Sequence, residues 1–230
     1  MSNNFLGKKI LIVTSHPDDE SFLCAGTIYK NFFAGGQTYL VCATLGEKGD
    51  SHLNRPATKK ALKERRKKEL LSAGRFLRIS KIYTLNLPDG GLKGKFKIYY
   101  KKCLNIAKQI KPDVIFGFGP DGITGHHDHE TSGKVAESLA KRLKIPFYAF
   151  SLPPRLIKSA EAFLNSKART DIYLDKVLFK KPDIRVLIDP RVKMKAIRFH
   201  KSQLEDKKTF TGFSKFLSGY NLKSEYFKKR

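Results

Sequence analysis

The chain has 230 residues, 40% of them apolar, and its 46 basic against 21 acidic side chains give a formal net charge of +25. That length and apolar content allow one substantial core, so residues 1–230 read as a single domain. No run approaches the ~18–20 apolar residues of a membrane span, and Met1-Ser2-Asn3-Asn4 leads straight into a buried strand pattern, which predicts no signal peptide.

In chain order, apolar runs predict strands over Lys9–Thr14, Thr38–Thr44, Lys81–Leu85, Val114–Phe118, Phe147–Phe150 and Arg185–Ile188. Between and after them, helical periodicity predicts helices over Phe22–Phe33, Pro56–Leu77, Lys97–Gln109, Glu130–Leu143 and Arg191–Ser202. Gly35-Gly36 closes the first helix, and Lys111-Pro112-Asp113 separates a helix from the next strand. The alternation predicts an α/β, Rossmann-like fold, a mostly parallel sheet with helices on both faces. Ile10–Val13 and Val114–Phe116 are near-continuous apolar runs, as strands covered on both sides should be. Residues 152–181 break the rhythm and read as a variable insertion or flap.

The charge raises nucleic acid or an anionic membrane surface as a partner. No zinc finger, basic zipper or RNA-binding aromatic signature accompanies it, and the basic residues are diffuse, densest at Lys59–Lys68 and in the tail Lys228-Lys229-Arg230. They read as general surface charge. Cys24, Cys42 and Cys103 are widely spaced among apolar or helical neighbours, which fits reduced core cysteines of a cytoplasmic protein.

Chemistry concentrates behind two strands. Ser15-His16-Pro17-Asp18-Asp19-Glu20 follows the first one, and ligands of open α/β sheets bind outside the carboxyl ends of strands. An imidazole and three carboxylates crowded at that edge call for a counter-charge, which a metal ion supplies. With Pro17 opening a helix, His16 and Asp19 share a face while Asp18 and Glu20 point elsewhere. Gly125-His126-His127-Asp128-His129-Glu130 follows Val114–Phe116 and precedes the helix expected at Glu130. Spacing alone leaves open which of His126, His127 and His129 binds. Two histidines and one carboxylate with positions left open make a catalytic rather than a structural zinc arrangement.

Each cluster has a plainer explanation taken singly. Asp-Asp-Glu complements a helix N-terminus, and a loop histidine is often a cap. The coincidence of two such clusters behind separate strands favours the metal. Gly117-Phe118-Gly119-Pro120-Asp121-Gly122 matches a dinucleotide fingerprint literally, but its helix begins too late and Pro120 removes a backbone donor. These glycines are expected to let the loop turn tightly and approach a ligand.

The two clusters resemble the zinc-dependent N-acetylglucosaminyl deacetylases of the PIG-L (LmbE-like) family, whose pattern is His-Pro-Asp-Asp-Glu after a strand and a later His-x-Asp-His. Both stand intact, at His16–Glu20 and His126–His129. Weaker similarities run along the chain in order: Thr44-Leu45-Gly46-Glu47-Lys48-Gly49, Arg66-Lys67-Lys68-Glu69 with Ala73, Leu87-Pro88-Asp89-Gly90, and Lys195-Ala196 with His200-Lys201-Ser202-Gln203. Only residues 152–181 are unmatched. The resemblance implies zinc, or another divalent transition metal, on His16, Asp19 and His129. It implies Asp18 as general base, His126 as the residue that stabilises or protonates the transition state, and Asp128 behind it, orienting His126. Arg66 and Asp89 would contact sugar hydroxyls, and Glu20 would be structural, at the helix start.

The implied reaction removes the acetyl group from an N-acetylated amino sugar of N-acetylglucosamine type or its conjugate. The implied partner is that small molecule, with no specific nucleic acid, and a homo-oligomer stays open. Plainer roles compete at single residues: a solvated helix face for Arg66, turn chemistry for Asp89, packing for His200, and a lysine partner for Glu47. Two other functions compete. A two-histidine, one-carboxylate iron oxygenase is disfavoured, because those sites sit on β-barrels. A basic polyanion- or membrane-surface-binding protein on a retired deacetylase fold is disfavoured by the intact His16, Asp18, Asp19 and His129.

Overall fold

A computed structural model describes residues 5–49, 58–123, 125–152, 182–205, 209–210 and 223–230. In chain order these form β1 (Lys9–Thr14), α1 (Asp19–Phe33), β2 (Gln37–Cys42), α2 (Lys59–Phe76) and β3 (Lys81–Thr84). A 3-10 turn, Leu92–Lys95, runs into α3 (Phe96–Ile110), followed by β4 (Val114–Gly117), α4 (His127–Leu143) and β5 (Phe147–Ser151). After the proposed insertion, whose residues 153–181 lie outside the described ones, come β6 (Ile184–Leu187), α5 (Pro190–Ile197) and a 3-10 turn, Lys201–Gln203. The short β7 (Leu204–Glu205) and β8 (Thr209–Phe210) pair with each other, and β9 (Ser224–Lys229) ends the chain.

The main sheet has seven strands in the order β3-β2-β1-β4-β5-β9-β6. β1 pairs in parallel with β2 on one side and β4 on the other, and β4 with β5. The α/β, mostly parallel architecture expected from the alternation is therefore present. Chain order reverses between β1 and β4, so their following loops diverge and open a crevice at the carboxyl edge. The register pairs Val13 with Gly117, which brings the two His-bearing loops out of the sheet at the same level.

The strand side chains alternate between two cores. Ile10 and Ile12 pack with Phe5, Cys24, Ile28, Phe116 and Phe227, while Leu11 and Val13 pack with Tyr99, Cys103, Ile115, Val135 and Leu139 on the other face. Each such fully buried aliphatic side chain contributes about 1.5–3 kcal/mol. Sheet twist and helix cover on both faces thus fix the β1 and β4 carboxyl ends on a rigid base.

Three departures from the sequence expectation matter for the site. α4 begins at His127 rather than Glu130, because His126 caps it: its Nδ1 accepts the Asp128 N–H at 3.2 Å. α1 begins at Asp19 rather than Phe22, and Pro17 does not open it; Asp18 stands before the first turn with φ 113°. α5 ends at Ile197 and does not continue to Ser202. A fourth concerns the tail, where Ser224–Lys229 is an interior strand, antiparallel to both β5 and β6. Its Glu225, 2% exposed, accepts the Gly26 and Thr27 N–H groups where α1 kinks at Cys24, and pairs with Lys193 Nζ at 3.1 Å. Among the described residues no helix is long and apolar enough to cross a membrane.

Candidate active site

The β1 and α1 ends shape the first cluster. Asp19 Oδ2 accepts the Ser15 and His16 N–H groups, both at 2.9 Å, which leaves Oδ1 free to point into the crevice. From the first turn of α4, His129 brings Nε2 to 3.5 Å from Asp19 Oδ1 and 3.1 Å from His16 Nδ1. Donors about 2.0–2.1 Å from a tetrahedral metal stand about 3.3–3.4 Å apart, so this spacing fits a divalent transition ion.

The outward-facing ring nitrogens are also tied down. His16 Nε2 lies 3.1 Å from Asp89 Oδ1 and 3.4 Å from Asp128 Oδ2, two acceptors that hold a proton there and turn Nδ1 toward His129. His129 Nδ1 sits 3.2 Å from the Gly122 carbonyl, which needs a donor, so Nε2 carries the lone pair. The His129 ring stacks on Phe118, 4.1 Å between centroids at 9°. His16 Nδ1 and His129 Nε2 therefore face each other, with Asp19 Oδ1 beside His129.

The electrostatics of the cluster favour a cation. Burial opposes charge on His16, yet hydrogen bonds to Asp128 and Asp89 and the field of Asp19 outweigh it and raise the imidazole to about 10. Burial pushes Asp19 up to about 7 against the pull of His16. His129 is held well below the usual histidine range by burial and by the neighbouring His16 and His126.

His127 faces the other way. Its side chain is 51% exposed and lies 3.7 Å from Glu130, one turn along α4. That removes it from the choice the spacing left open. His126 stands edge-on to His16 at 5.1 Å and tilted to His129 at 5.0 Å. Because its Nδ1 accepts the Asp128 N–H, its Nε2 carries the proton and is a donor. His16, His126 and His129 bring one nitrogen each within 4.8 Å of one another, and so do the donor atoms of His16, Asp89 and Asp128.

Asp128 touches both motif histidines. It meets His126 through its backbone N–H, and its carboxylate engages His16 and accepts the Gly90 and Leu92 N–H groups at 2.7 and 2.9 Å. Asp89, 6% exposed, is likewise turned to His16, its Oδ2 accepting the Lys48 N–H, and Glu47 Oε1 accepts the Asp89 N–H. Arg66 is not on a solvated face. It is 4% exposed and donates from Nη1 to Gly46 O at 3.0 Å, and from Nη2 to Pro17 O at 2.7 Å and Asp18 Oδ2 at 3.1 Å. Burial pushes the Asp18 carboxyl up, while Arg66 first, then His200 and His16, pull it down.

Two glycines make these approaches feasible. Gly46, at φ +68°, leaves the space the Arg66 guanidinium fills. Gly122, at φ +63°, lies where a Cβ would stand 2.8 Å from the His129 Cβ, so the fingerprint-like loop closes tightly on α4. Sequence reasoning missed a buried hydroxyl network beneath the site. Ser15 Oγ and Ser132 Oγ are 2.7 Å apart, and the Tyr99 hydroxyl donates to Thr14 O at 2.9 Å and lies 3.2 Å from Ser132 Oγ. Tyr99 is apolar-looking at its helical spacing, and nothing local marks its hydroxyl as a tie to β1.

Residues 11–140 match the PIG-L family, described as GlcNAc-PI de-N-acetylase. A probable N-acetyl-alpha-D-glucosaminyl L-malate deacetylase 2 of Bacillus subtilis is 30% identical over 199 residues, 85% of this chain and 83% of that protein. Its Bacillus anthracis namesake is 36% identical over 139 residues, 58% of this chain and 60% of the relative's length. Among solved structures, an N,N'-diacetylchitobiose deacetylase from Pyrococcus horikoshii, bound to an inhibitor, superposes with a TM-score of 0.67 at 26% identity, covering 97% of this chain and 84% of that one. The matched span contains both His-bearing motifs and exceeds half of the 230 residues, and the chain belongs to the PIG-L family of de-N-acetylases.

Proposed function

We propose that this chain hydrolyses the acetamide of an N-acetylated amino sugar of N-acetylglucosamine type, carried as a conjugate, with a divalent metal held by His16, Asp19 and His129. Zinc is the ion this donor set suits best. The observation that carries the reading is the approach of His16 Nδ1 and His129 Nε2 to 3.1 Å, with the opposite nitrogen of each ring already committed to an acceptor. The proteins named as relatives differ in the group attached to the sugar and share the N-acetylglucosamine unit, which supports that unit as the recognised part.

A metal bound there supplies a Lewis acid, which polarises the acetyl carbonyl and makes water acidic enough to attack at neutral pH. The chain's own residues supply the rest. Asp18 stands next to the metal donors without being one of them, and its carboxylate takes the proton of the attacking water. As the new C–O bond forms and the C–N bond breaks, Asp18 returns that proton to the departing amine, leaving acetate and a free amino sugar. His126, fixed as an Nε2–H donor by its cap bond, stabilises the developing oxyanion, a task often worth ~3–4 kcal/mol. Asp89 and Asp128 orient His16, and Arg66 orients Asp18. Cys24, Cys42 and Cys103 are buried and free, which supports a cytoplasmic protein.

The test is acetate release from a panel of N-acetylglucosamine conjugates by zinc-loaded and chelated protein. Release that chelation stops, that zinc restores and that Asp18→Asn abolishes with the metal retained supports the reading. A zinc-loaded protein inactive on the whole panel refutes the substrate class, and full activity in Asp18→Asn refutes the general-base role.

A further inference from the structure

Glu20 and His200 are buried, hydrogen-bonded to each other and given no task by the chemistry above. Glu20 is 0% and His200 1% exposed, and His200 Nε2 lies 2.8 Å from Glu20 Oε1. An ion-forming pair with no access to water demands a reason, because desolvation offsets much of its attraction. The reason lies two residues back. Glu20 Oε2 accepts the backbone N–H of Asp18 at 3.1 Å. Asp18 has φ 113°, a conformation that side-chain-bearing residues rarely adopt and that persists only where its surroundings impose it.

Asp18 is thus held from two sides. Glu20 fixes its main chain, and Arg66 on α2 fixes its carboxylate. The same contacts close into a ring. Beyond His200, Ser202 donates its N–H to Glu69 Oε1 at 3.0 Å and its hydroxyl to Glu69 Oε2 at 2.6 Å, and Glu69 sits one turn from Arg66 on α2. The segment after α5 therefore links the α1 start to the α2 face that aims Asp18. The Ser21 hydroxyl completes the Glu20 Oε1 environment, donating at 2.6 Å and lying 3.2 Å from His200 Nε2.

We propose that the buried Glu20–His200 pair is a positioning device that holds Asp18 in its left-handed backbone conformation, so that its carboxylate addresses the reacting water. This rests on Asp18 being the general base proposed above. His200 is accordingly a positioning residue and touches no substrate. A histidine kept merely to fill space would be served equally by an apolar side chain, whereas a positioning histidine must keep a donor at the Nε2 position.

The experiment compares His200→Gln, whose amide nitrogen can occupy the Nε2 position, with His200→Leu, which cannot donate. Readouts are bound zinc, kcat and KM for acetate release, thermal midpoint, and the amide proton resonance of Asp18 in a 15N spectrum. His200→Gln is expected to keep kcat within about threefold, and His200→Leu to lose on the order of 10²-fold in kcat with KM within about twofold and one zinc retained, as small misplacements of a catalytic group do. The Asp18 amide resonance should move in His200→Leu and stay in His200→Gln. Equal kcat in the two variants, or an Asp18 amide unmoved by His200→Leu, overturns the proposal. Should His200→Leu not fold, Glu20→Gln removes one acceptor at constant volume and must show the same loss of kcat; a wild-type kcat there overturns the proposal as well. Activity surviving Asp18→Asn would refute the general base and leave the amide resonance to decide the positioning.

Discussion

Replacing Arg66 by Met separates two roles that the sequence alone could not. If the guanidinium bound sugar hydroxyls, the substitution would raise KM. The structure instead buries it to 4% exposure and spends its Nη atoms on Gly46 O, Pro17 O and Asp18 Oδ2. Met keeps the stem volume and strands all three acceptors. Two are backbone carbonyls, each costing about 1–3 kcal/mol when left unmade, and the third is a carboxylate only 18% exposed. Breaking such a pair from one side typically costs about 3–5 kcal/mol. Some water can reach Asp18, so the pair falls at the lower end of that range, near 3 kcal/mol, and with the two stranded carbonyls this is the least total loss expected. Urea unfolding of the zinc-loaded protein measures it as a lower midpoint at unchanged slope. In steady-state assays kcat should drop at least about tenfold with KM changed less than about twofold, because the aim of the base is lost and not a substrate contact. Arg66→Lys should recover little, since one ammonium does not span three acceptors. A stability loss below 1 kcal/mol together with a tenfold rise in KM at unchanged kcat would refute the reasoning and return Arg66 to the substrate.

Chelation with a strong zinc ligand should stop acetate release, and zinc at about 10³ times its dissociation constant should raise the thermal midpoint by on the order of 10 °C; no midpoint change would argue against a metal at this site. Asp128→Ala should weaken zinc binding by about 10–100-fold in a competition titration, because His16 loses one of the two carboxylates that fix its ring; unaltered affinity would refute that role. Cys24, Cys42 and Cys103 are each fully buried, and burial pushes their thiols up, so a thiol reagent at neutral pH should label none in the native protein and all three after unfolding; fast native labelling would contradict the packing.

What the sequence conveyed best was whatever is local. Apolar runs at Ile10–Val13 and Val114–Phe116 announced two covered strands, and the His-bearing loops behind them meet because Val13 pairs with Gly117. His16 with Asp19, and His126 with His129, are each separated by three residues, so their grouping needs only one turn of chain. Even there the boundary was misplaced at α4, which starts at His127 with His126 as its cap rather than at Glu130. β9 escaped notice because Ser224–Lys229 alternates inside a lysine-rich tail, where charge masks the inward Glu225 and Phe227.

The groups that orient the reacting residues were legible as residues and not as partners. Asp128 was expected behind His126, its neighbour in the motif, and it meets that ring through its backbone N–H, while its carboxylate turns to His16, 112 positions away. Arg66, read from the sequence against the sugar, donates to Asp18, and His200 reaches Glu20 across 180 positions. A carboxylate, guanidinium or imidazole announces in sequence what it can bind, while which one lies behind which is decided by strand order and helix docking. Here that order sets β4 beside β1, and α2 and the segment after α5 against the start of α1. Donors of one motif can therefore be proposed from spacing, whereas the device that aims the base is assembled from four distant parts of the chain, at Asp18–Glu20, Gly46, Arg66–Glu69 and His200–Ser202.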